Sequence, residues 1–295
     1  MTVSNSALPS TLDWGDLTDP VTAELQVIGD GFSVLAFNYR QFSGLMDPLV
    51  KVDNFSIFEN KITTNPLAGI LSVLVVFEDS TGKYRAQNSA GAIVELQPGD
   101  LYWTQAGRGS LLNEELSPSG KVHALRIIIN LPKHLKQKSP TSRHVKATQM
   151  PILEGNGYRV RLVLGTSNGT KGLMSPSLPL TILEGTVSEA HQFTHDIEAG
   201  HSVWLYVAQG EVNAHFGKQT SIIRKGCAIA YHANHEGLRL AVNAVSASHF
   251  VLIQGMPLHE NFFQKGSFVM STLEELERVE AAYAAGHFGL APPPD

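Results

Sequence analysis

Runs of alternating or continuous apolar residues, each about the length of a strand, dominate this chain of 295 residues. Residues 49–57 alternate apolar and polar positions, which is the period of a half-buried strand. Residues 70–77 are almost wholly apolar, a pattern typical of a central strand that is buried on both faces. A third strong strand is predicted at residues 123–130.

The second half of the chain repeats this pattern. Residues 202–208 match 70–77 in character, and residues 249–255 match 123–130. The halves share architecture more than sequence, which predicts an internal duplication of a β-barrel. We therefore predict an all-β fold of two antiparallel barrels, followed by a C-terminal helix.

The helix is predicted from residue 273 onwards. Thr272 and Glu275 form a capping-box pattern, with a hydroxyl at the N-cap and a carboxylate three residues later. Gly286 is a suitable helix stop. One apolar stripe is expected along the helix, formed by Leu273, Leu276, Val279 and Tyr283.

Composition shifts suggest where the domains begin and end. The predicted units are an N-terminal arm (1–24), a first barrel (25–132), a linker (133–150), a second barrel (151–270) and a C-terminal helix with its tail (271–295). The linker is basic, carries Pro140 and is preceded by Pro132. We expect its lysines to form a solvated surface and not a nucleic-acid patch.

Charge and cysteine usage exclude several classes of protein. The net charge of −5 argues against binding to nucleic acid or to anionic membranes through bulk charge. Neither a signal-peptide pattern nor an apolar run long enough to span a bilayer is found in the sequence. The single cysteine, Cys227, excludes an internal disulfide, fits the cytoplasm, and is expected to be a buried small hydrophobe.

One stretch predicts the mouth of a pocket. Pro98 and Gly99 form a turn, a short strand follows, and Gly107 and Gly109 make a second tight corner. The next strand carries Glu114 as a candidate inward-pointing carboxylate. Small β-barrels build pocket mouths in this way.

Five segments resemble the pirin family: residues 97–103, 106–109, 255–260, 266–272 and 285–289. The resemblance implies a bicupin, meaning two antiparallel cupin barrels in one chain. It also implies iron in the first barrel. Some pirins resemble dioxygenases that open quercetin-type flavonols, and others bind transcription factors or metabolic enzymes. His259 and Glu260 lie in the family's C-terminal motif, where they are expected to hold the segment between the domains.

The family's iron ligands are implied to be a His-x-His pair on one strand, and a His and a Glu two residues apart on another. Residues two apart on a strand face the same side, so such pairs can converge on one ion. At these positions the present chain has Asn65, Leu67, Leu112 and Glu114, and Leu71 replaces a further cupin carboxylate. We therefore expect no metal in the first barrel, no cofactor and no catalytic residue.

The remaining polar residues leave two interpretations of the first barrel. Asn65 and Glu114 are hydrogen-bonded to each other, to the backbone or to water, since a buried polar group needs a partner. Alternatively, the barrel binds an organic ligand without metal. The candidate lining residues are then Asn65, Leu67, Leu112, Glu114, Tyr102 and Trp103, although Tyr102 and Trp103 are more commonly core residues.

Four histidines of the second half are weak metal candidates: His191, His195, His232 and His235. Their spacing does not match the cupin motif. His191 and His195 lie four residues apart, which suits a helix face or a loop. Surface or loop positions are the favoured interpretation.

The sequence therefore favours a non-catalytic pirin-like bicupin, which acts as a binding or regulatory protein of the cytoplasm. Its partner would be a protein or a small organic ligand, with no nucleic acid or membrane involved. The alternative is a metal-dependent dioxygenase similar to the quercetinase-type pirins. The identity of any ligand or partner and the oligomeric state stay open.

Overall fold

The structure is a computed structural model of the chain and describes residues 3–6, 15–28, 31–59, 61–116, 120–233 and 235–289. Strands account for most of these residues. In the first half the strands are β1 Ser4–Ser6, β2 Val21–Thr22, β3 Glu24–Val27, β4 Phe32–Asn38, β5 Leu49–Ile57, β6 Lys61–Leu67, β7 Ile70–Val76, β8 Tyr84–Asn88, β9 Ile93–Leu96, β10 Leu101–Gln105, β11 Ser110–Leu116, β12 Val122–Asn130 and β13 Thr141–Val145.

The second half adds further strands and an α-helix. They are β14 Ile152–Gly155, β15 Tyr158–Leu164, β16 Thr166–Ser167, β17 Thr170–Lys171, β18 Leu180–Val187, β19 Gln192–Ile197, β20 Ser202–Gln209, β21 Glu211–Phe216, β22 Gln219–Arg224, β23 Cys227–His232, β24 Leu238–Ala244, β25 Ser248–Gly255, β26 Phe262–Lys265, β27 Phe268–Met270 and α1 Leu273–Ala284. Three short 3₁₀ turns lie at Tyr39–Phe42, Lys133–Leu135 and Ala147–Gln149.

Each half forms one barrel from two facing antiparallel sheets. In barrel one, a seven-stranded sheet of order β13-β10-β7-β12-β5-β4-β3 faces a four-stranded sheet of order β6-β11-β8-β9. In barrel two, the corresponding orders are β14-β15-β18-β25-β20-β23-β2 and β19-β24-β21-β22. The predicted fold class, all-β with two antiparallel barrels and a C-terminal helix, is confirmed.

Two edge strands lie outside the barrel ranges expected from composition. β2, from the predicted N-terminal arm, pairs with β23 of barrel two. β13, from the predicted linker, pairs with β10 of barrel one over its full length. The domain boundaries themselves stay a prediction.

Strand β7 is buried on both faces, as its continuous apolar sequence predicts. Val73 and Val75 belong to the cluster shared by the two barrels, whereas Leu74 and Val76 belong to the interior of barrel one. Alternation along one strand thus supplies two cores. The two barrels are joined by this shared core and by Arg161, whose Nη1 donates to the Gly99 carbonyl at 2.6 Å.

The C-terminal helix begins at its predicted cap. The Glu275 backbone N–H donates to Thr272 Oγ1 at 3.1 Å, whereas the Glu275 carboxylate accepts from Ser271 N–H and not from the N-cap residue. Gly286 ends the helix with φ 76°. Among the described residues, no helix is long and apolar enough to cross a membrane.

Three residues that were expected to be buried differ in the structure. Only the centre of the predicted stripe is buried: Leu276 and Val279 pack on the barrel, whereas Leu273 and Tyr283 are 44% and 41% exposed. The helix crosses the barrel with its middle turns, so its ends face solvent. Cys227 is half-buried at the edge of the core of barrel two. The predicted C-terminal tail lies largely outside the described residues.

Lys136 differs from the expected solvated lysines of the linker. Its side chain is only 1% exposed, and its Nζ has no hydrogen-bond partner among the described residues. Burial lowers the pKa of Lys136 to about 8, while Glu260 and Glu275 act in the opposite direction. The expectation is wrong for this residue: Lys136 is the C-cap residue of the 3₁₀ turn Lys133–Leu135, and the neighbouring Leu135 packs partly against the core between the barrels. Composition alone assigns one environment to all lysines of a segment.

We predict that Lys136→Met stabilises the protein at pH 7 by about 2–3 kcal/mol, because the folded state no longer holds a buried, unpaired ammonium group. The unfolded state retains the proton up to a pKa of about 10.4. Wild-type stability should therefore rise between about pH 8 and 10.5, as the folded state loses its charge first. Urea unfolding across this pH range measures both effects.

The matched control is Lys138→Met, because Lys138 is exposed on the same segment. This control should keep the wild-type pH profile. If Lys136→Met also kept the wild-type pH profile, the rise of the unfolding free energy with pH would not arise from Lys136.

Candidate functional site

Glu114 lies in the four-stranded sheet of barrel one, on the central strand β11. The register places Leu112 opposite Asn65 and Glu114 opposite Thr63 of β6. Glu114 is 3% exposed, so its carboxylate is inside the barrel. The inward orientation predicted for this side chain is therefore confirmed.

Three side chains donate hydrogen bonds to the Glu114 carboxylate. Asn65 Nδ2 donates to Oε2 at 2.7 Å, which confirms the predicted contact between these two residues. The Tyr84 hydroxyl and Arg126 Nη2 both donate to Oε1. Arg126 Nη2 also donates to the Tyr84 oxygen at 2.7 Å. Glu114 is therefore the centre of a connected network and not an isolated carboxylate.

The network determines the protonation states of Tyr84 and Arg126. Burial raises the pKa of Tyr84 well above its ordinary value, so its hydroxyl stays a donor. Burial acts to lower the pKa of Arg126, but the neighbouring Glu114 and Tyr84 more than offset this and raise that pKa. The guanidinium is cationic at every accessible pH, and it provides the buried carboxylate with a charged partner.

A cavity of about 170 Å³ opens beside this network. Its apolar wall includes Phe32 and Phe55, whose rings meet edge to face at 6.2 Å. Lys61 Nζ lies 4.1 Å from the centroid of the Phe32 ring, and the Arg126 guanidinium lies 5.7 Å from that of Phe55. Aromatic rings flanked by cations can hold a small planar molecule.

Two buried polar atoms at the cavity have no hydrogen-bond partner among the described residues: Arg126 Nε and Asp53 Oδ1. They belong to residues directly opposite each other on β12 and β5. One is a donor and the other an acceptor when Asp53 is ionised. A buried polar group without a partner costs free energy. This pair is therefore suited to a ligand that carries both a hydrogen-bond acceptor and a hydrogen-bond donor.

The other candidate lining residues lie elsewhere. Leu67, Leu112 and Tyr102 belong to the apolar cluster that fills the interior of barrel one. Trp103 and Leu71 belong to the core between the barrels, because they have the opposite parity on their strands. The interior of barrel one is thus packed around Leu67 and Leu112, and it is open beside Asn65 and Glu114.

These residues do not fit a transition metal. Leucine side chains carry no ligand atom, and Leu67 and Leu112 are packed in an apolar cluster. Both Glu114 oxygens already accept hydrogen bonds, one of them from the cationic Arg126. A metal ion at this point would have to displace Arg126 or lie beside its positive charge.

The cationic half of the site is not predicted from the sequence. Arg126 is the only Arg, Lys, Asp or Glu residue of strand β12, and it has the inward parity of Ala124 and Ile128. A charge at an inward position of an apolar strand is the signal that identifies it. Tyr84 carries no such signal, because tyrosine is common in ordinary cores.

The second barrel contains a chain of buried polar side chains that are joined by hydrogen bonds. Two histidines belong to this chain. His195 Nδ1 lies 2.9 Å from Ser167 Oγ, and its Nε2 lies 2.9 Å from Gln254 Oε1. Gln254 Nε2 lies 3.2 Å from His201 Nδ1. Burial lowers the pKa of both His195 and His201. Both rings are therefore neutral at pH 7, and the chain is consistent with an uncharged buried network.

The expectation of surface or loop positions is wrong for two of the four candidate histidines. His195 lies on β19 and His232 on β23, and they are 2% and 1% exposed. His195 shares inward parity with Phe193 and Ile197, which its spacing from His191 concealed. His191 is partly exposed before β19 and His235 is exposed. Within the described ranges, no group of three or more His, Cys, Asp or Glu side chains could hold a metal ion.

The fold and the barrel-one cavity define a two-barrel cupin protein. Residues 182–289 match the family model of the pirin C-terminal cupin domain. A pirin-like protein of Solanum lycopersicum is 27% identical over 91% of this chain and 91% of its own length. Homo sapiens pirin is 27% identical over 79% of this chain and 80% of its own length. These matches support the assignment of the chain to the pirin family.

Solved structures agree on the fold. Quercetin 2,3-dioxygenase from Acinetobacter baumannii superposes with a TM-score of 0.82 at 23% identity, covering 94% of this chain and 99% of its own. A bacterial pirin from Escherichia coli, in complex with nickel(II), gives a TM-score of 0.63 at 16% identity, covering 83% and 100%. At this identity the likeness shows the bicupin fold alone.

We predict that Arg126→Met costs about 3–5 kcal/mol of unfolding free energy, because it leaves Glu114 buried without a charged partner. The matched control is Arg85→Met, since Arg85 pairs with Glu115 on the same strand β11 but both side chains are about half exposed. The control should cost less than about 1 kcal/mol. Urea unfolding at pH 7 measures both, and equal losses would show that the buried pair has no special role.

Proposed function

We propose that this chain is a metal-independent pirin, which acts as a binding or regulatory protein and not as an oxygenase. The observation that carries the proposal is the contact between Arg126 and Glu114. In this chain a guanidinium neutralises the carboxylate that the family resemblance assigns to iron. Leu67 and Leu112 replace two further ligands with apolar packing.

The ligand of barrel one is proposed from the shape and polarity of its cavity. A volume of about 170 Å³ suits a single-ring compound more than a flavonol. Phe32 and Phe55 offer faces and edges for a planar ring. Arg126 Nε and Asp53 Oδ1 are a donor and an acceptor for one carboxamide-like group. The proposed ligand class is therefore a small aromatic molecule with a neutral group that both donates and accepts.

A cytoplasmic location and a protein partner belong to the same proposal. The single cysteine supports a reducing compartment. A ligand held in barrel one would act by changing how the protein presents its surface to that partner. The alternative, a metal-dependent dioxygenase, shares the fold and would require metal bound by residues other than the four family positions.

Metal content separates the two functions. Protein purified without a histidine tag, from cells supplied with iron, manganese and nickel, should hold less than about 0.1 metal ion per chain, because the donor set offers no soft or imidazole ligands. Inductively coupled plasma analysis measures this, together with quercetin consumption. A stoichiometric metal content that tracks flavonol loss would overturn the proposal.

Benzamide tests the proposed ligand class. Saturation-transfer NMR should detect it on the wild-type protein, and Asp53→Leu should weaken binding, since it removes the oxygen that accepts from the amide group in this proposal. Benzoate is the matched probe, because its carboxylate would face Asp53 and should bind less well. Equal binding of the two probes, or no effect of Asp53→Leu, would contradict this ligand class while leaving the metal test unaffected.

A further inference from the structure

A second cavity, of about 400 Å³, lies between the glycine corner of barrel one and helix α1. It has no lining residue in common with the cavity beside Glu114. Two segments that sequence analysis singled out meet there: the corner at 106–109, through Arg108 and Gly109, and the segment at 285–289, through His287 and Phe288. The proposed function uses neither segment.

The polar wall of this cavity is rich in cationic and donor groups. Arg108 and Arg278 line it together with Gln137 and His287. Arg278 pairs with Glu274 in the helix, but both side chains are exposed, so this pair holds the guanidinium weakly. The Arg108 side chain has no hydrogen bond or ion pair within the described part of the chain. In a protein of net charge −5, this is a local concentration of positive charge.

Lys136 adds a buried charge behind this wall. It precedes the lining residue Gln137, its side chain is 1% exposed, and its Nζ is without a hydrogen-bond partner among the described residues. Glu275, which acts electrostatically on Lys136, lines the cavity and is its one lining carboxylate. One Glu275 oxygen accepts from Ser271 N–H at 3.1 Å. An anion in the cavity would therefore lie near a buried charge that is not neutralised by contact.

The cavity also has apolar lining residues, one of which is tightly packed. They are Val279, Ala282 and Phe288. Phe288 packs directly on Gly109, where a Cβ would lie only 2.3 Å from the ring, and Gly109 has φ 146°. Glycine is thus required at this position. The close approach holds the aromatic ring against the corner that carries Arg108.

Backbone hydrogen bonds preorganise both sides. Arg108 N–H donates to the Lys138 carbonyl at 3.0 Å, and Gly69 N–H donates to the Gly107 carbonyl at 2.7 Å. His287 N–H donates to the Ala282 carbonyl at 2.9 Å beyond the Gly286 stop. The backbone that carries Arg108 and His287 is therefore held in place before binding, which reduces the ordering cost of binding.

We propose that this cavity is a binding site for a small organic carboxylate with an aromatic body. Arg108 and Arg278 bind the carboxylate, Lys136 adds attraction from behind, and Phe288 packs against the aromatic body. Arginine is suited to this role because its planar fork matches the two carboxylate oxygens. The volume lies within the range of ordinary small-molecule sites.

The probes are 1-naphthoate and its neutral isostere 1-naphthamide, titrated by calorimetry into the full-length protein. We expect 1-naphthoate to bind at least about tenfold more tightly, and Arg108→Gln and Arg278→Gln each to weaken it at least about fivefold. Lys136→Met should also weaken it while the protein stays folded. The matched control is Arg224→Gln, an exposed arginine of barrel two that should leave affinity unchanged.

Urea unfolding of each variant separates loss of the site from loss of the fold. Excess benzamide should not compete with 1-naphthoate, because it is assigned to the other cavity; this keeps the result independent of the proposed function. Equal affinity for the two naphthyl probes, or unchanged 1-naphthoate affinity in both Arg108→Gln and Arg278→Gln, would overturn the proposal.

Discussion

A carboxylate inside a β-barrel needs a partner, and the contact between Glu114 and Arg126 supplies one. Burying either charge alone would cost several kcal/mol. Because Tyr84 and Asn65 also donate to the Glu114 carboxylate, both of its oxygens accept hydrogen bonds inside the barrel. The positive charge of Arg126 repels other cations from this part of barrel one. Leu67 and Leu112 pack in the apolar interior of the same barrel, where they bring no further charge.

The two barrels depend on each other through one double-sided strand. β7 contributes alternate side chains to the interior of barrel one and to the core between the barrels. The site strands and the interface are therefore held by the same backbone. At the edge of this interface, Arg161 links Glu184 of barrel two to the Gly99 carbonyl of barrel one. The turn at Pro98 and Gly99 is thus a contact point between the barrels, and it does not line the cavity beside Glu114.

The sequence predicts the barrels well because strand periodicity and buried apolar runs act locally, as in β7 and β20. It includes the contact of Asn65 with Glu114 among three alternatives, because a polar group inside a barrel needs a partner. It does not predict Arg126, the cationic partner of Glu114. Arg126 lies on a strand of the facing sheet and contacts Glu114 only after the barrel closes. The same limit applies to Lys136 and His195: their burial arises from how a turn or strand packs, and neither composition nor residue spacing records it.

The retained glycine corner is better explained by architecture than by metal chemistry. Gly107 has φ 52° and a Cβ there would lie 2.0 Å from the Lys138 carbonyl oxygen, while Gly109 accommodates Phe288. Both requirements come from packing outside the barrel interior, against the 133–138 segment and the residues after α1. A change of side chains inside the barrel would leave these packing requirements unchanged. The glycine corner therefore does not depend on the chemistry of the barrel interior, and the cavity that it forms with α1 shares no lining residue with the cavity beside Glu114.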